Sequence, residues 1–185
     1  YIPDRLSEGY GPNIEALKTL IEGGADLVFM LDCGSTSFSI IEQGRDLGLD
    51  IIVFDHHQTE ERLPKVNHMI NPKRHDDTSK MNMLAACGVT FMACVAINNK
   101  LRERTFYKTG SIKEPNLMNL LDLCALGTVC DMVPLLSINR LLVRTGFKAI
   151  QKTKNVGLNA LVEVSKINSE INTYHAGFLL GPRIN

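Results

Sequence analysis

The sequence contains a short apolar run, Ile51-Ile52-Val53-Phe54, that ends abruptly in Asp55-His56-His57. A partly β-branched run of this length predicts a buried strand. In an open α/β sheet, the residues just past the carboxyl end of a strand face the ligand crevice. Carboxylate and imidazole groups together suit divalent ions such as Mn²⁺ or Zn²⁺. A solvated loop after a strand accounts for the same three residues, so the triplet alone leaves both interpretations open.

Helices and strands alternate along the first part of the sequence. The apolar spacing predicts helices over 13–22 and from Ser37 to Gly48, and strands over 27–31, 51–54 and 66–70. Alternation with short links favours parallel strands joined by right-handed crossovers. We therefore expect an α/β fold with a doubly wound, mainly parallel sheet in the N-terminal half.

The second part of the sequence has the composition of packed helices. Predicted helices cover 84–97, 116–126, 138–150, 158–164 and 174–180. A basic stretch that includes Lys100, Arg102 and Arg104 separates the first two and is interpreted as a solvated link, with phosphate contacts as the alternative. We expect an α/β part of about residues 1–80 and a helical part of about residues 81–185.

Three acids stand out by their position. Asp32 directly follows the strand at 27–31, as Asp55 follows the next strand, so both should lie at one edge of the sheet. Asp131 is flanked by Val129-Cys130 and Met132-Val133, and a carboxylate buried there without a partner would be costly. A metal, an arginine or backbone donors could each serve, but only a metal also accounts for Asp32 and His56. Two further histidines lack a partner at ligand spacing and are assigned ordinary structural or solvent roles: His68 and His75.

Composition bounds the functional classes only loosely. The 185 residues hold 20 Lys and Arg and 20 Asp and Glu, a balance that neither supports nor excludes a nucleic-acid substrate. The basic residues look scattered, so charge alone traces no nucleic-acid path. Five cysteines without a Cys-x-x-Cys spacing fit reduced thiols, and no signal sequence or long apolar run is present, so we expect a cytoplasmic protein without a membrane contact. Tyr1 at the start and the loop-like Gly181-Pro182-Arg183-Ile184-Asn185 at the end indicate a piece of a longer chain.

The order of several motifs carries a family resemblance. The residues concerned are Tyr1-Ile2-Pro3-Asp4-Arg5, Gly9-Tyr10-Gly11, Asp32-Cys33-Gly34, Asp55-His56-His57, Asn71-Pro72-Lys73-Arg74, the run 127–135, the run 139–146 and the run 181–185. Together they resemble the DHH phosphoesterase superfamily and, within it, the RecJ family of single-stranded-DNA-specific 5′→3′ exonucleases. The resemblance covers essentially the whole chain.

The resemblance implies a role for each site residue. Asp32 is similar to a carboxylate that bridges two Mn²⁺ or Mg²⁺ ions, and His56 and Asp131 resemble ligands that complete one of them. Asp55 would orient the neighbouring histidine, and His57 would face the scissile phosphate. Two arginines resemble residues that hold the phosphates of the DNA 5′ end: Arg5 and Arg183.

The resemblance also implies a reaction and its partners. The reaction would be two-metal hydrolysis of phosphodiester bonds in single-stranded DNA, in DNA repair and recombination, with a helicase or a single-strand-binding protein as further partners. The Asp-x-Asp strand of the superfamily and its C-terminal DHH-associated and oligonucleotide-binding modules are absent from the sequence, so we expect impaired activity of this piece. Two alternatives remain: another DHH phosphodiesterase or pyrophosphatase, and a non-catalytic scaffold with the same fold.

Overall fold

The computed structural model describes residues 1–184. The chain divides into two compact units, Tyr1–Asn82 and Met83–Asn185. The first unit is an α/β layer and the second is helical. Each unit has its own buried apolar cluster. The α/β class and the parallel sheet that the alternation predicts are therefore confirmed.

The first unit alternates helices with three parallel strands. Its elements are α1 (Ile14–Glu22), β1 (Leu27–Leu31), α2 (Phe38–Asp46), β2 (Asp50–Phe54) and β3 (His68–Ile70). The strand order is β1-β2-β3, so the described part of the sheet runs in one direction without a reversal of order. Leu31 pairs with Phe54 and Phe54 with Ile70, which sets the carboxyl ends of the three strands side by side.

Local sequence accounts for these elements. The side chain of Asn13 accepts a hydrogen bond of 2.7 Å from the Ala16 N–H and so caps α1. Gly44 lets α2 approach its neighbours closely, because a Cβ there would lie 2.8 Å from Leu17 Cδ1 and 3.1 Å from Ile51 Cδ1. One face of β1 leaves three large apolar side chains about half exposed: Leu27, Phe29 and Leu31.

The second unit consists of helices. They are α3 (Ala86–Glu103), α4 (Phe106–Thr109), α5 (Leu121–Cys130), α6 (Ser137–Ile150) and α7 (Val156–Val164), with a 3₁₀ turn over Leu117–Leu120, a π-helical turn over His175–Leu180 and a 3₁₀ turn over Gly181–Arg183. Helices α5 and α6 pack backbone against backbone, since a Cβ on Gly146 would come within 2.1 Å of the Leu121 carbonyl oxygen. Among the helices of residues 1–184, none combines the length and apolarity that a membrane crossing needs.

Several predicted boundaries in this unit are wrong. Helix α3 continues to Glu103, so Lys100 and Arg102 belong to a helix rather than to a link. Lys100 pairs with Glu103 at 2.8 Å and Arg102 pairs with Glu114 at 2.5 Å, and these contacts support the polar end of the helix. The predicted helix 116–126 is a 3₁₀ turn followed by α5, which runs on through Gly127 to Cys130.

Candidate metal centre

The two strand-end acids of the first unit lie where the sequence places them. Asp32 follows β1 and its N–H donates to the Phe54 carbonyl at 2.9 Å, while the Asp55 N–H donates to the Ile70 carbonyl at 3.1 Å. Both residues therefore continue the parallel ladder for one step beyond the strands. Asp32 has a φ of 61°, a left-handed conformation that is uncommon outside glycine and that Asp tolerates better than most residues. The backbone turns sharply there and presents the carboxylate at the edge of the sheet.

Asp55 is the buried anchor of the site, with 1% of its surface exposed. Its Oδ1 accepts hydrogen bonds from the His56 N–H at 2.7 Å, the His57 N–H at 3.2 Å and His57 Nδ1 at 2.7 Å. Its Oδ2 accepts from the Ser35 N–H at 3.0 Å. Four donors therefore hold one carboxylate, and the backbone of both histidines is tied to it.

These donors decide the charge of Asp55. Burial acts to raise the pKa of the carboxyl, but the hydrogen bonds from Ser35, His57 and the His56 backbone outweigh it and lower the pKa from 3.8 to about 2. Asp55 is therefore ionised at neutral pH. Because its Oδ1 bonds Nδ1 of His57, the His57 proton belongs on Nδ1 and the Nε2 atom is turned to other partners.

Three side chains gather around one point at the sheet edge. The Nε2 atom of His56 lies 3.2 Å from Asp32 Oδ1, and Nδ1 of His57 lies 4.0 Å from the same oxygen. One potential ligand atom from each of Asp32, His56 and His57 falls within 4.8 Å of the others. His56 is 6% exposed, whereas the side chains of Asp32 and His57 are each 60% exposed. The cluster thus has a fixed inner member and two members open to an incoming ligand.

The field at this edge favours a cation. Burial raises the pKa of the neighbouring Cys33 thiol to about 11, and the Asp55 and Asp32 carboxylates contribute to that rise. The two carboxylates that disfavour a thiolate at this edge attract a positive ion, and a carboxylate with an imidazole is a donor set that Mn²⁺ accepts. The residues present therefore fit a divalent metal ion.

A buried amide on the protein side of the cluster stabilises the site, and the sequence did not predict this role. Asn71, at the end of β3, donates from Nδ2 to the Ser35 hydroxyl at 2.7 Å and to the His57 carbonyl at 2.9 Å. Both Asn71 and Ser35 are almost fully buried, at 3% and 1% exposure. The available signal was position, because Asn71 follows a third parallel strand just as Asp32 and Asp55 follow the first two.

Asp131 lies in the second unit and differs from its predicted surroundings. It is the C-terminal cap of α5, its N–H donates to the Gly127 carbonyl at 2.9 Å, and its side chain is exposed. The next residue, Met132, has a φ of 56° and is 89% exposed. The expectation that Asp131 lies in apolar surroundings is therefore wrong, and its place among the metal ligands stays a prediction from the resemblance.

The two arginines have different local settings. The guanidinium of Arg5 lies 4.5 Å from the centre of the Tyr10 ring, in an exposed N-terminal segment. Arg183 lies in the 3₁₀ turn Gly181–Arg183 rather than in an extended loop, and its Nη1 donates to the Leu179 carbonyl at 2.6 Å. Both side chains are exposed, and their role in phosphate binding stays a prediction. The isolated histidines His68 and His75 are exposed and lie outside the cluster.

Residues 1–128 match the family described as DHH family, N-terminal domain. The chain belongs to the DHH family. The Asp55-His56-His57 triplet that gives the family its name is thus the segment that Asp55 ties to the sheet in this structure. The family resemblance that the ordered motifs carry is therefore confirmed.

The relatives of this DHH chain include bacterial exonucleases. It is 38% identical over 186 residues to the single-stranded-DNA-specific exonuclease RecJ of Dickeya dadantii, and 38% identical over 186 residues to that of Escherichia coli K12. Each alignment covers 100% of the chain and 32% of the relative. The chain therefore spans about one third of the length of these curated relatives.

Two solved structures resemble the DHH chain in three dimensions. A structure of exonuclease RecJ bound to manganese superposes with a TM-score of 0.81 at 30% identity, covering 100% of this chain and 44% of that one. A structure of RecJ in complex with Mn²⁺ from Thermus thermophilus gives a TM-score of 0.73 at 28% identity, covering 93% of this chain and 24% of the other. Both neighbours are described with manganese.

Proposed function

We propose that the chain is the catalytic-core portion of a metal-dependent exonuclease that hydrolyses single-stranded DNA in the 5′→3′ direction. The observation that carries the proposal is the Asp32-His56-His57 cluster, held at the carboxyl end of parallel strands by the ionised Asp55. The similarity to RecJ exonucleases over the full chain supplies the substrate class. Geometry and similarity thus point to one reaction.

In this proposal Asp32 and His56 hold Mn²⁺ or Mg²⁺, with Asp131 as a further ligand of a two-metal centre. Nε2 of His56 suits this role because it faces Asp32 Oδ1 at 3.2 Å, which lets both atoms approach one ion. When bound, such an ion lowers the pKa of a water molecule and offsets the negative charge that develops on the phosphate.

Side chains of the protein position the histidines and contact the substrate. Asp55 is a positioning residue, since it binds the backbone of both histidines and Nδ1 of His57. This bond directs Nε2 of His57 outward, and the imidazolium form of the ring can donate from that atom to a phosphate oxygen of the scissile bond. Asn71 fixes the same turn through the His57 carbonyl. The histidine that meets the substrate is therefore held from two sides.

We further propose that Arg5 and Arg183 hold the phosphates of the 5′ end. A guanidinium group matches the geometry of a phosphate through paired hydrogen bonds, and a terminal phosphate carries more charge than an internal diester. Both side chains are exposed, as such contacts require.

The wider setting is part of the same proposal. The enzyme would act in DNA repair and recombination in the cytoplasm, beside a helicase or a single-strand-binding protein. An Asp-x-Asp strand, a DHH-associated module and an oligonucleotide-binding module would complete it outside residues 1–185. β1 lies at one end of the described strand order, so its free edge is compatible with a further strand.

A nuclease assay tests the proposal on a protein that carries this chain at the full length of its relatives. With Mn²⁺ present, a 5′-phosphorylated single strand should be degraded from its 5′ end, a blunt duplex should persist, and Asp32→Asn should abolish the reaction. Preferential hydrolysis of pyrophosphate or a cyclic dinucleotide would replace the proposal with another DHH activity. An absence of hydrolysis on all of these substrates would favour the scaffold.

A further inference from the structure

The zero net charge of the chain conceals a separation of charge between its two units. Of the 20 Lys and Arg, twelve lie in the second unit, which holds only six of the 20 Asp and Glu. The first unit has the reverse excess, with eight bases and fourteen acids. Because a basic excess attracts polyanions, a surface that organises this charge would be expected in the second unit.

Helix α6 carries a column of cations on its exposed side. Arg140, Arg144 and Lys148 follow one another at intervals of four residues, and Lys152 continues the series on the turn after the helix. All four are exposed, whereas the opposite face of α6 is buried through Asn139, Leu142, Val143, Gly146 and Ile150. Side chains four residues apart on a helix are neighbours, so the column extends about 18 Å at 1.5 Å per residue.

The column ends at a cavity of about 610 Å³ beside the C-terminal end of α6. Lys148 and Lys152 line this cavity together with Lys154. None of the three lysines forms an ion pair within residues 1–184. The one acid in the lining, Asp122, is 3% exposed and accepts hydrogen bonds from the Leu123 N–H and the Thr153 hydroxyl. The positive charge of the cavity is therefore available to a ligand.

Two amides in the lining add donors rather than acceptors. The Oδ1 of Asn116 accepts from the Met118 N–H, and the Oδ1 of Asn155 accepts from the Leu158 N–H. Because each oxygen is held by the start of a helix or 3₁₀ turn, the NH₂ group is the part that each amide offers to the cavity. Leu120 and Leu123, 41% and 46% exposed, supply apolar surface in the same lining.

We propose that the α6 column and its terminal cavity bind the sugar-phosphate backbone of a nucleic-acid strand, with one nucleotide seated in the cavity. The cations and amide donors suit phosphate oxygens, and the exposed leucines suit a sugar or base. The linear arrangement favours an extended polyanion over a compact one. The inference rests on the proposed function, which supplies single-stranded DNA as the strand.

The test uses charge-matched double variants of the full-length protein. Lys148→Gln with Lys152→Gln removes two cations of the cavity, and Lys108→Gln with Lys113→Gln removes two exposed cations of the same unit outside the column and the cavity lining. Binding of an unphosphorylated oligothymidylate of about 20 nucleotides is measured by fluorescence anisotropy at several NaCl concentrations. Leaving out the 5′-phosphate keeps end recognition out of the measurement.

The cavity variant should bind about tenfold more weakly at low salt, and the slope of log affinity against log salt should fall by about 1.4, at about 0.7 per phosphate of a single strand. The control variant should keep the slope of the unsubstituted protein. Equal changes in both variants, or an unchanged slope in the cavity variant, would overturn the inference. If polyglutamate displaces the labelled oligonucleotide as effectively as unlabelled oligonucleotide does, the surface binds acidic peptides instead.

A failure of the proposed function and a failure of the inference about α6 would give different results in these assays. If the unsubstituted protein neither binds the oligonucleotide nor degrades a 5′-phosphorylated strand, both proposals fall. If it degrades the strand while the two double variants behave alike, only the inference about α6 falls.

Discussion

Replacing Asp55 by Asn should destabilise the first unit although the change is nearly isosteric. The amide oxygen can serve the three donors that now meet Oδ1, from the backbones of His56 and His57 and from His57 Nδ1. In the unsubstituted chain, the N–H of Ser35 donates to Oδ2 of Asp55 at 3.0 Å, and Ser35 is 1% exposed. In the variant, the amide NH₂ would face this N–H instead of an acceptor. One buried donor would lose its acceptor.

The magnitude follows from this geometry. A buried donor without a partner costs about 1–3 kcal/mol, and hydrogen bonds to a neutral oxygen are roughly half as strong as those to a carboxylate. Because the bonds share one oxygen, the losses do not add fully, and we expect a decrease of about 2–4 kcal/mol in the free energy of unfolding. With a urea m-value of about 2 kcal/mol/M, the midpoint should fall by about 1–2 M.

The assay is a urea titration followed by far-ultraviolet circular dichroism, with a chelator present so that metal binding adds nothing. Asp50→Asn is the matched control, since Asp50 opens the same strand, is exposed and accepts a bond of 2.7 Å from Asn67 that an amide oxygen can keep. The control should stay within about 0.5 kcal/mol of the unsubstituted chain. If the urea midpoint of Asp55→Asn lies as close to that of the unsubstituted chain as the midpoint of the control does, the account of Asp55 as the anchor is refuted.

Two further predictions concern pH and packing. The pKa of Asp55 in the folded protein, about 2, lies below its ordinary value of 3.8, so its contribution to stability should be complete above about pH 4 and should fade as the pH falls towards 2. Unfolding measured at decreasing pH with a chelator present should show this loss of stability. The Asp55→Asn variant should lose less stability over the same pH range, because it has no carboxyl group to protonate at this position. Gly146→Ala should lower the free energy of unfolding by about 3 kcal/mol or more, because the new Cβ would lie 2.1 Å from the Leu121 oxygen and 2.4 Å from Ala125 Cβ. Gly157→Ala in α7, whose Cβ would meet only Asn155 Oδ1 at 3.4 Å, should leave stability unchanged or raise it by less than about 1 kcal/mol, and similar urea midpoints for the two variants would contradict the packing argument.

The sequence predicts the sheet of the first unit well because its signals are local. An apolar run that stops at an acid marks the end of a buried strand, and Asp32 and Asp55 both lie directly after strands as expected. Asn13 likewise caps α1 through a residue three positions away. Each of these features depends on neighbours within a few residues, where propensity and periodicity are informative.

The features that the sequence did not predict depend on distant partners. Asn71 and Ser35 are 36 residues apart and meet only because β3 and the turn after β1 share one sheet edge. Arg102 lies in helix α3, where a polar sequence predicted a link, and its partner Glu114 is 12 residues away. The cation column was missed for another reason. The basic residues at 140, 144 and 148 look scattered in the linear sequence, but they lie on one exposed face of helix α6.

The most direct test of the central claim, that Asp32 and His56 hold a divalent metal ion, is a calorimetric titration with Mn²⁺. The full-length protein should bind Mn²⁺, Asp32→Asn and His56→Gln should each weaken binding by at least about tenfold, and Asp50→Asn should leave it unchanged. Mn²⁺ affinity within about twofold of the unsubstituted protein in both Asp32→Asn and His56→Gln would contradict the assignment of the metal centre to this edge of the sheet.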